Sequence, residues 1–547
     1  MSKSITFNEF NFGLDLRKGS STSDANRLRV LKNAHVTEGK TVRKRPGTTL
    51  VATLEAGTVG LFAGKGKLNT FYGGVGSVTH ANALFQANAV RSPTTAALAL
   101  TAVDYADVFN GFVYASVRYT SGEQRHHYLD GSAGFTVTIA LPAVFTTVGH
   151  GFVAGRALAL STTGALPTGL VAGTTYYVIA AGLTADAYQV SLTPGGVAVN
   201  TSGAQSGVHS VSQQTYIVDA NCPHTAPVTK TASKLWSTNV AGDTVRFCKT
   251  NTPRDWTTIN DAGFLPVGLQ QSGATNATAL GFYQNKLVVF FADSAQVWTV
   301  DVDPAKHQFQ QTVDTGTLLP YAHANMAGDV FFLSPQGVRT ITAQENTTNL
   351  IDTDVGSPID RGLIAGSFIN IATAKSQYYR GGGQYWLYSG NRAMVYTFSR
   401  SNKVSAWSLY EYPFTLDYLD ELNAELYIRS GNNVYKVSQS VKTDNGTLYP
   451  VDVEMAYLDF KAPGILKQIL SMDMVVTGTC TIAHRFDARN TALITDPAVT
   501  VSGDSRPGNV FPVELLATNL APVIRNLDDQ DFELHQLVYL YDPLGPV

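Results

Sequence analysis

The chain has 547 residues and a mass of 58.7 kDa, with 39 Lys+Arg against 42 Asp+Glu and a formal net charge of −3. Charged residues are 15% and hydrophobic residues 44%, enough apolar material for a sizeable core and too much for a disordered chain. This balance excludes a globally basic nucleic-acid binder, an acidic tail protein and a long solvated coiled coil, and three Cys cannot build a disulfide framework.

The opening MSKSITFNEF holds no apolar run, so a chain made in a cytosol without a secretory leader is expected. No uninterrupted apolar stretch approaches the ~18 residues of a membrane-spanning helix. Between Arg17 and Arg45 lie nine basic residues, among them Arg17, Lys18, Arg27, Arg29, Arg43, Lys44 and Arg45, opposed by Asp24 and Glu38 alone. The segment is +7 and the remainder −10, a polarity that suits docking to an acidic partner or a neighbouring subunit. Within it, Ser23–Leu31 is the best helix candidate, with Ser23 or Asp24 as the cap. Residues 1–50 are therefore expected to form a basic N-terminal arm, with Pro46-Gly47 turning the chain into the next region.

Beyond the arm the sequence reads as strand and turn. Short apolar runs such as Leu287-Val288-Val289-Phe290-Phe291 and Val330-Phe331-Phe332-Leu333 are bounded by Gly, Asn, Asp or Ser. One unit recurs near Leu68, Phe112, Val245, Leu287, Val330, Tyr385 and Leu426, at spacings of 44, 133, 42, 43, 55 and 41 residues. Multistrand units at such spacings predict the blades of a β-propeller, six or seven of them, over residues 51–131 and 214–440. The long gap predicts an inserted small β domain at 132–213, where Arg156 and Asp186 are the only charged residues. So uncharged a domain is expected to lie against another subunit or protein. Residues 441–547 predict a C-terminal β domain packing with the N-terminal arm. The fold class expected is all-β.

Chemistry is sparse. No phosphate-binding loop, nucleophile elbow, zinc-protease helix, paired CxxC or EF-hand loop occurs. Adjacent His126 and His127 would face opposite sides of a strand. Cys222 and His224 could present a thiolate and an imidazole together, but no nearby second pair completes a tetrahedral site. Asp301 and Asp303 read as turn chemistry beside Pro304. Asp255 reads as a turn cap and Trp256 as core. No catalytic or metal residue is assigned, and no cofactor is expected.

The phrase from Phe10 to Thr48 carries Gly13-Leu14-Asp15, Arg27-Leu28, Asn33-Ala34-His35-Val36 and Lys44-Arg45-Pro46-Gly47 in order. It resembles the start of the tail nozzle proteins of short-tailed bacteriophages, the tail tubular protein B type. The similarity continues through DTVRFCKTNTPRDWTTINDAGFLPVG, through LGFYQNKLVVFFADSAQVWTVDVDP and from Gly328 to Arg339, within residues 7–440. Separately, the insertion resembles a β module of phage structural proteins through His150-Gly151 and Ser161–Gly169.

The resemblance implies a virion tail protein assembled in the host cytoplasm. It implies a propeller in each subunit of a homohexamer, mounted below the tail adaptor ring of the portal–tail complex. Tail fibres or tail tip proteins would be further partners. Double-stranded DNA would pass through the channel during ejection without sequence-specific binding, along a lining that stays unassigned. No enzymatic activity is implied. Two other readings stand beside it: a glycan-binding or glycan-cleaving propeller of a receptor-binding apparatus, and a trimeric tail fibre or baseplate scaffold protein. The glycan reading needs a carboxylate cluster and an aromatic platform at one channel mouth.

Overall fold

The computed structural model describes residues 2–546 except 74–77, 91–98, 148–149, 151, 153, 214, 218, 272, 274–275, 327, 347–353, 496–497 and 503–509. Gly151 of the expected phage-module phrase thus lies outside the described residues. The chain is all-β. Among the described residues the longest helix is Ile341–Asn346, a bare turn and a half. It divides into two units, 1–53 with 292–295 and 313–547, and 54–291 with 296–312.

The 54–312 unit is a succession of small sheets. Strands Thr58–Gly64, Lys67–Tyr72 and Phe85–Ala89 form the first, and Leu100–Phe109, Phe112–Tyr119 and Gln124–Leu129 the second. Val228–Thr231, Lys234–Thr238, Val245–Phe247 and Gly263–Leu265 form another. The last comprises Ala279–Tyr283, Lys286–Phe290, Ala295–Thr299 and Gln308–Val313. Side chains alternate across a strand, so each sheet offers a face to the sheet before it and a face to the sheet after it. Val113, Ala115 and Val117 pack with Phe71 of the first sheet, while Tyr114 between them packs with Val228 and Leu235 of the third. Trp236, next to Leu235, turns the other way onto Leu280, Leu287 and Val289. Burial on both faces explains why the central strands read as unbroken apolar runs rather than as a clean alternation.

The inserted segment is a closed barrel. Its strands lie in the order Ser132–Val137, Phe145–Thr146, Ala187–Ser191, Thr175–Ile179, Ala157–Thr162 and His209–Gln213. Closure leaves no sheet edge to aggregate. The barrel has its own core, built on Phe135, Phe145, Leu158, Leu160, Tyr176 and Tyr188 among others. Leu141, Val171, Leu192, Val197 and Val208 stand exposed on it, Val197 at 91%.

The other unit repeats the alternation. Tyr385 and Leu387 pack with Phe331 and Leu333 of the sheet His323–Met326, Asp329–Ser334 and Gly337–Thr340. Their neighbours Trp386 and Tyr388 pack with Leu419, Leu426 and Ile428 of the next sheet. That sheet comprises Tyr418–Leu422, Glu425–Ser430, Asn433–Ser438 and, from far earlier in the chain, Gly47–Thr53.

The N-terminal segment departs from the expected arm. Leu28–Lys32 is a strand, not a helix, lying parallel to Val404–Glu411 and antiparallel to Val451–Met455. It covers the edge of the 375–411 strands and joins them to Ala521–Asn526, Thr479–Arg485 and Val499–Ser502 in one sheet of nine. An uncovered edge of backbone donors and acceptors is a liability, and this contact overrides the weak local helix signal. Ala34–Val36 and Val42–Lys44 continue into a six-stranded sheet with Glu533–Pro546, Ile465–Thr477 and Val510–Ala517, where Lys3–Phe7 also pairs. The C-terminal region therefore shares its sheets with residues 3–44.

Candidate interaction surface and buried donor cluster

Most basic residues of the N-terminal segment are met by carboxylates within the same unit. Asp15 is 1% exposed and accepts from the Arg17 backbone N–H at 3.0 Å, from its Nε at 3.1 Å and its Nη2 at 2.8 Å, and also from Arg27. Burial works to raise the Asp15 pKa, but hydrogen bonds from Arg17 and Arg27 outweigh it and hold the carboxyl below its ordinary range. Arg29 donates to the carbonyl of Lys18 at 2.8 Å, and Lys18 reaches Asp24 at 3.2 Å. Arg43 pairs with Asp531.

Lys44 and Arg45 correct the expectation of a docking surface. Both side chains are fully buried. Lys44 Nζ donates to Asn526 Oδ1 at 2.9 Å and to the Asp528 carbonyl at 2.5 Å, and burial pushes its pKa down to about 8. The Arg45 guanidinium lies between the rings of Tyr412 and Tyr449, at 4.1 and 3.8 Å. Two neighbours alike in sequence thus serve the interior, because Val42–Lys44 is a sheet strand and its continuation runs under Tyr449. Lys18 and Arg43 keep side-chain exposures of 52% and 41%.

Turn chemistry accounts for the paired aspartates. Asp301 accepts from the Asp303 N–H at 2.9 Å, and Asp303 caps a short 3-10 turn by accepting from Ala305 N–H at 3.0 Å. Asp255 accepts from the N–H groups of Thr257 and Thr258, and Trp256 is core.

His126 joins Cys222 and His224, which have no second ligand pair near them in sequence. Cys222 Sγ lies 3.5 Å from His126 Nδ1 and 3.8 Å from His224 Nδ1. His127 points away, to Tyr119 and Thr215, as adjacent strand residues must. Burial pushes the Cys222 thiol up, and holds His126 near 4 and His224 near 3, so both rings are neutral at neutral pH. No local sequence signal links residues 96 positions apart.

One further cavity, about 230 Å³, is lined by Tyr379, Trp386, Tyr410 and Tyr412, with Arg43 and Glu38 also on its wall. The Tyr412 hydroxyl and His35 Nδ1 at this wall are buried atoms with no hydrogen-bond partner among the described residues.

No family model matches the chain, and no curated protein matches it. Among solved structures it is similar to an exo-β-1,3-galactanase from Phanerochaete chrysosporium, at 11% identity over 57% of this chain and 95% of that one, with a TM-score of 0.21. It is also similar to the WD40 domain of Neurospora crassa Pan2, at 7% identity over 61% of this chain and 88% of that one, with a TM-score of 0.28. A protein of unknown function from Desulfotomaculum acetoxidans shares 11% identity over 58% and 86%, with a TM-score of 0.26.

Proposed function

We propose that the chain is a structural subunit of the tail nozzle of a short-tailed bacteriophage, a homohexameric conduit for DNA ejection attached below the adaptor ring. The observation that carries this reading is the ordered series of phrases from Gly13-Leu14-Asp15 to Gly328–Arg339. The sheets at 58–89, 100–129, 228–265, 279–313, 323–340, 375–411 and 418–438 are taken as seven propeller blades, with Gly47–Thr53 completing the last. A net charge of −3 suits a conduit, since a basic lumen would hold phosphates and slow transit. The barrel's exposed apolar residues suit packing against a neighbour in the ring.

The test is assembly. The purified chain, mixed with a portal–adaptor complex, is expected to form a six-fold ring on the adaptor face by electron microscopy. A monomer or trimer that fails to attach would sink the reading. Changing Lys18 and Arg43 together to Ser is expected to weaken attachment at low salt while leaving the fold intact, because exposed pairs contribute under about 1 kcal/mol each.

A glycan-binding propeller is the second reading, favoured by the aromatic-walled cavity and its Tyr412 hydroxyl, which has no hydrogen-bond partner among the described residues. Saccharide binding that Tyr412→Phe abolishes, without ring assembly, would prefer it.

A further inference from the structure

We infer that Cys222, His224 and His126 form a structural zinc site, with the Tyr114 hydroxyl beside them, at the root of the inserted barrel. Their donor atoms all lie within 4.8 Å of one another. Zinc bonds of about 2.3 Å to sulfur and about 2.0 Å to nitrogen place tetrahedral S and N ligands about 3.5 Å apart. The two S···N distances here are 3.5 and 3.8 Å.

The ring partners assign the tautomers that coordination requires. His126 Nε2 lies 2.7 Å from the Thr225 carbonyl, which can only accept, so Nε2 carries the proton and Nδ1 presents a lone pair. A backbone carbonyl on the far nitrogen is the support that metal-binding histidines generally have. His224 Nδ1 accepts from the His126 backbone N–H at 3.0 Å, so its proton also sits on Nε2. Tyr114 Oη donates to His126 Nδ1 at 2.8 Å, and as a fourth ligand it would coordinate as a neutral phenol through an oxygen lone pair, keeping its proton. His224 is held at φ +52°, a left-handed conformation that side-chain-bearing residues rarely adopt. That turn brings its ring back beside Cys222, two residues earlier.

Binding would exchange existing contacts rather than fill an open socket. The Cys222 thiol proton leaves to solvent and the sulfur–metal bond replaces it. The Tyr114 and His126 N–H hydrogen bonds to the two Nδ1 atoms give way. The location supplies the role. His126 lies on Gln124–Leu129, the strand before the barrel's first strand Ser132–Val137, while Cys222 and His224 follow its last, His209–Gln213. One ion would tie the chain entering the barrel to the chain leaving it.

The full chain, produced in zinc-supplemented medium, is expected to carry about one zinc per chain by elemental analysis. Refolding with Co²⁺ alone should give a thiolate-to-cobalt charge-transfer band, absent from Cys222→Ala. Chelation should lower the melting temperature of the native chain and leave that of Cys222→Ala unchanged. If Cys222→Ala fails to fold, His224→Gln takes its place. A native chain that folds free of zinc and gives no cobalt band overturns the site, whatever the variants do. Zinc content that persists in both variants overturns it as well.

Discussion

Arg45 and Asp444 form a two-pronged ion pair with both side chains fully buried. All five guanidinium hydrogens have acceptors. Nε donates to Asn33 Oδ1 at 3.0 Å, Nη1 to the Pro46 carbonyl and Asp444 Oδ1, and Nη2 to the Glu411 carbonyl and Asp444 Oδ2. Removing one partner strands a buried charge, which costs about 3–5 kcal/mol. Arg45→Ala and Asp444→Ala are each expected to lower the unfolding free energy, read from denaturant titration, by that amount. Arg45→Lys should recover only part of it, since an ammonium offers three hydrogens and no plane to stack on Tyr412 and Tyr449. A loss under about 1 kcal/mol for Asp444→Ala would refute this account.

Gly47 is required by close approach. A Cβ there would sit 2.2 Å from the Thr443 carbonyl oxygen. Gly47→Ala must push the 441–443 backbone away, with an expected loss of about 1–3 kcal/mol. Hydrogen exchange should quicken across Asn433–Ser438, the strand paired with Gly47–Thr53. Unchanged exchange there would count against the tight contact.

His484 makes stability fall with acid. Its ring sits 2.8 Å from the Tyr539 hydroxyl, and burial pushes its pKa down to about 4. An unfolded histidine titrates near 6.5, so on acidification the unfolded state takes up the proton first. Stability from this group is complete above about pH 6.5 and declines as the pH falls toward 4, by roughly 3 kcal/mol. In His484→Gln the slope of unfolding free energy against pH should flatten within that window. An identical slope would show that the group does not control it.

The barrel is expected to be separable. Joining Gly131 to Gln214 by a short Gly-Ser bridge removes residues 132–213, whose hydrophobic core, among the described residues, is built from the barrel itself. The remaining chain should unfold cooperatively, because insertions that carry their own core are tolerated at loops. Loss of a cooperative transition would show that the sheets depend on the barrel.

The strands were legible where their neighbours are close in sequence. Leu287–Phe291 and Val330–Leu333 announce themselves by composition and by the turns beside them, and the hairpins that hold them span few residues. Leu28–Lys32 was not legible. Its neighbours Val404–Glu411 and Val451–Met455 lie hundreds of residues away, so local propensity pointed to a helix. Arg45 looks like Arg17 in sequence, and only the packing of Tyr412 and Tyr449 marks it as interior. The donor cluster failed for the same reason, because His126 and Cys222 meet only through the tertiary fold.

The pairing of Gly47–Thr53 with Asn433–Ser438 also sets a timetable. The first of these strands leaves the ribosome about 380 residues before the second. At roughly 5–20 residues per second it waits about 20 to 80 seconds with its backbone groups unpaired. That seam closes long after its first strand is made, and a nascent polypeptide stalled before residue 433 would display a bare strand to chaperones or to another copy of itself.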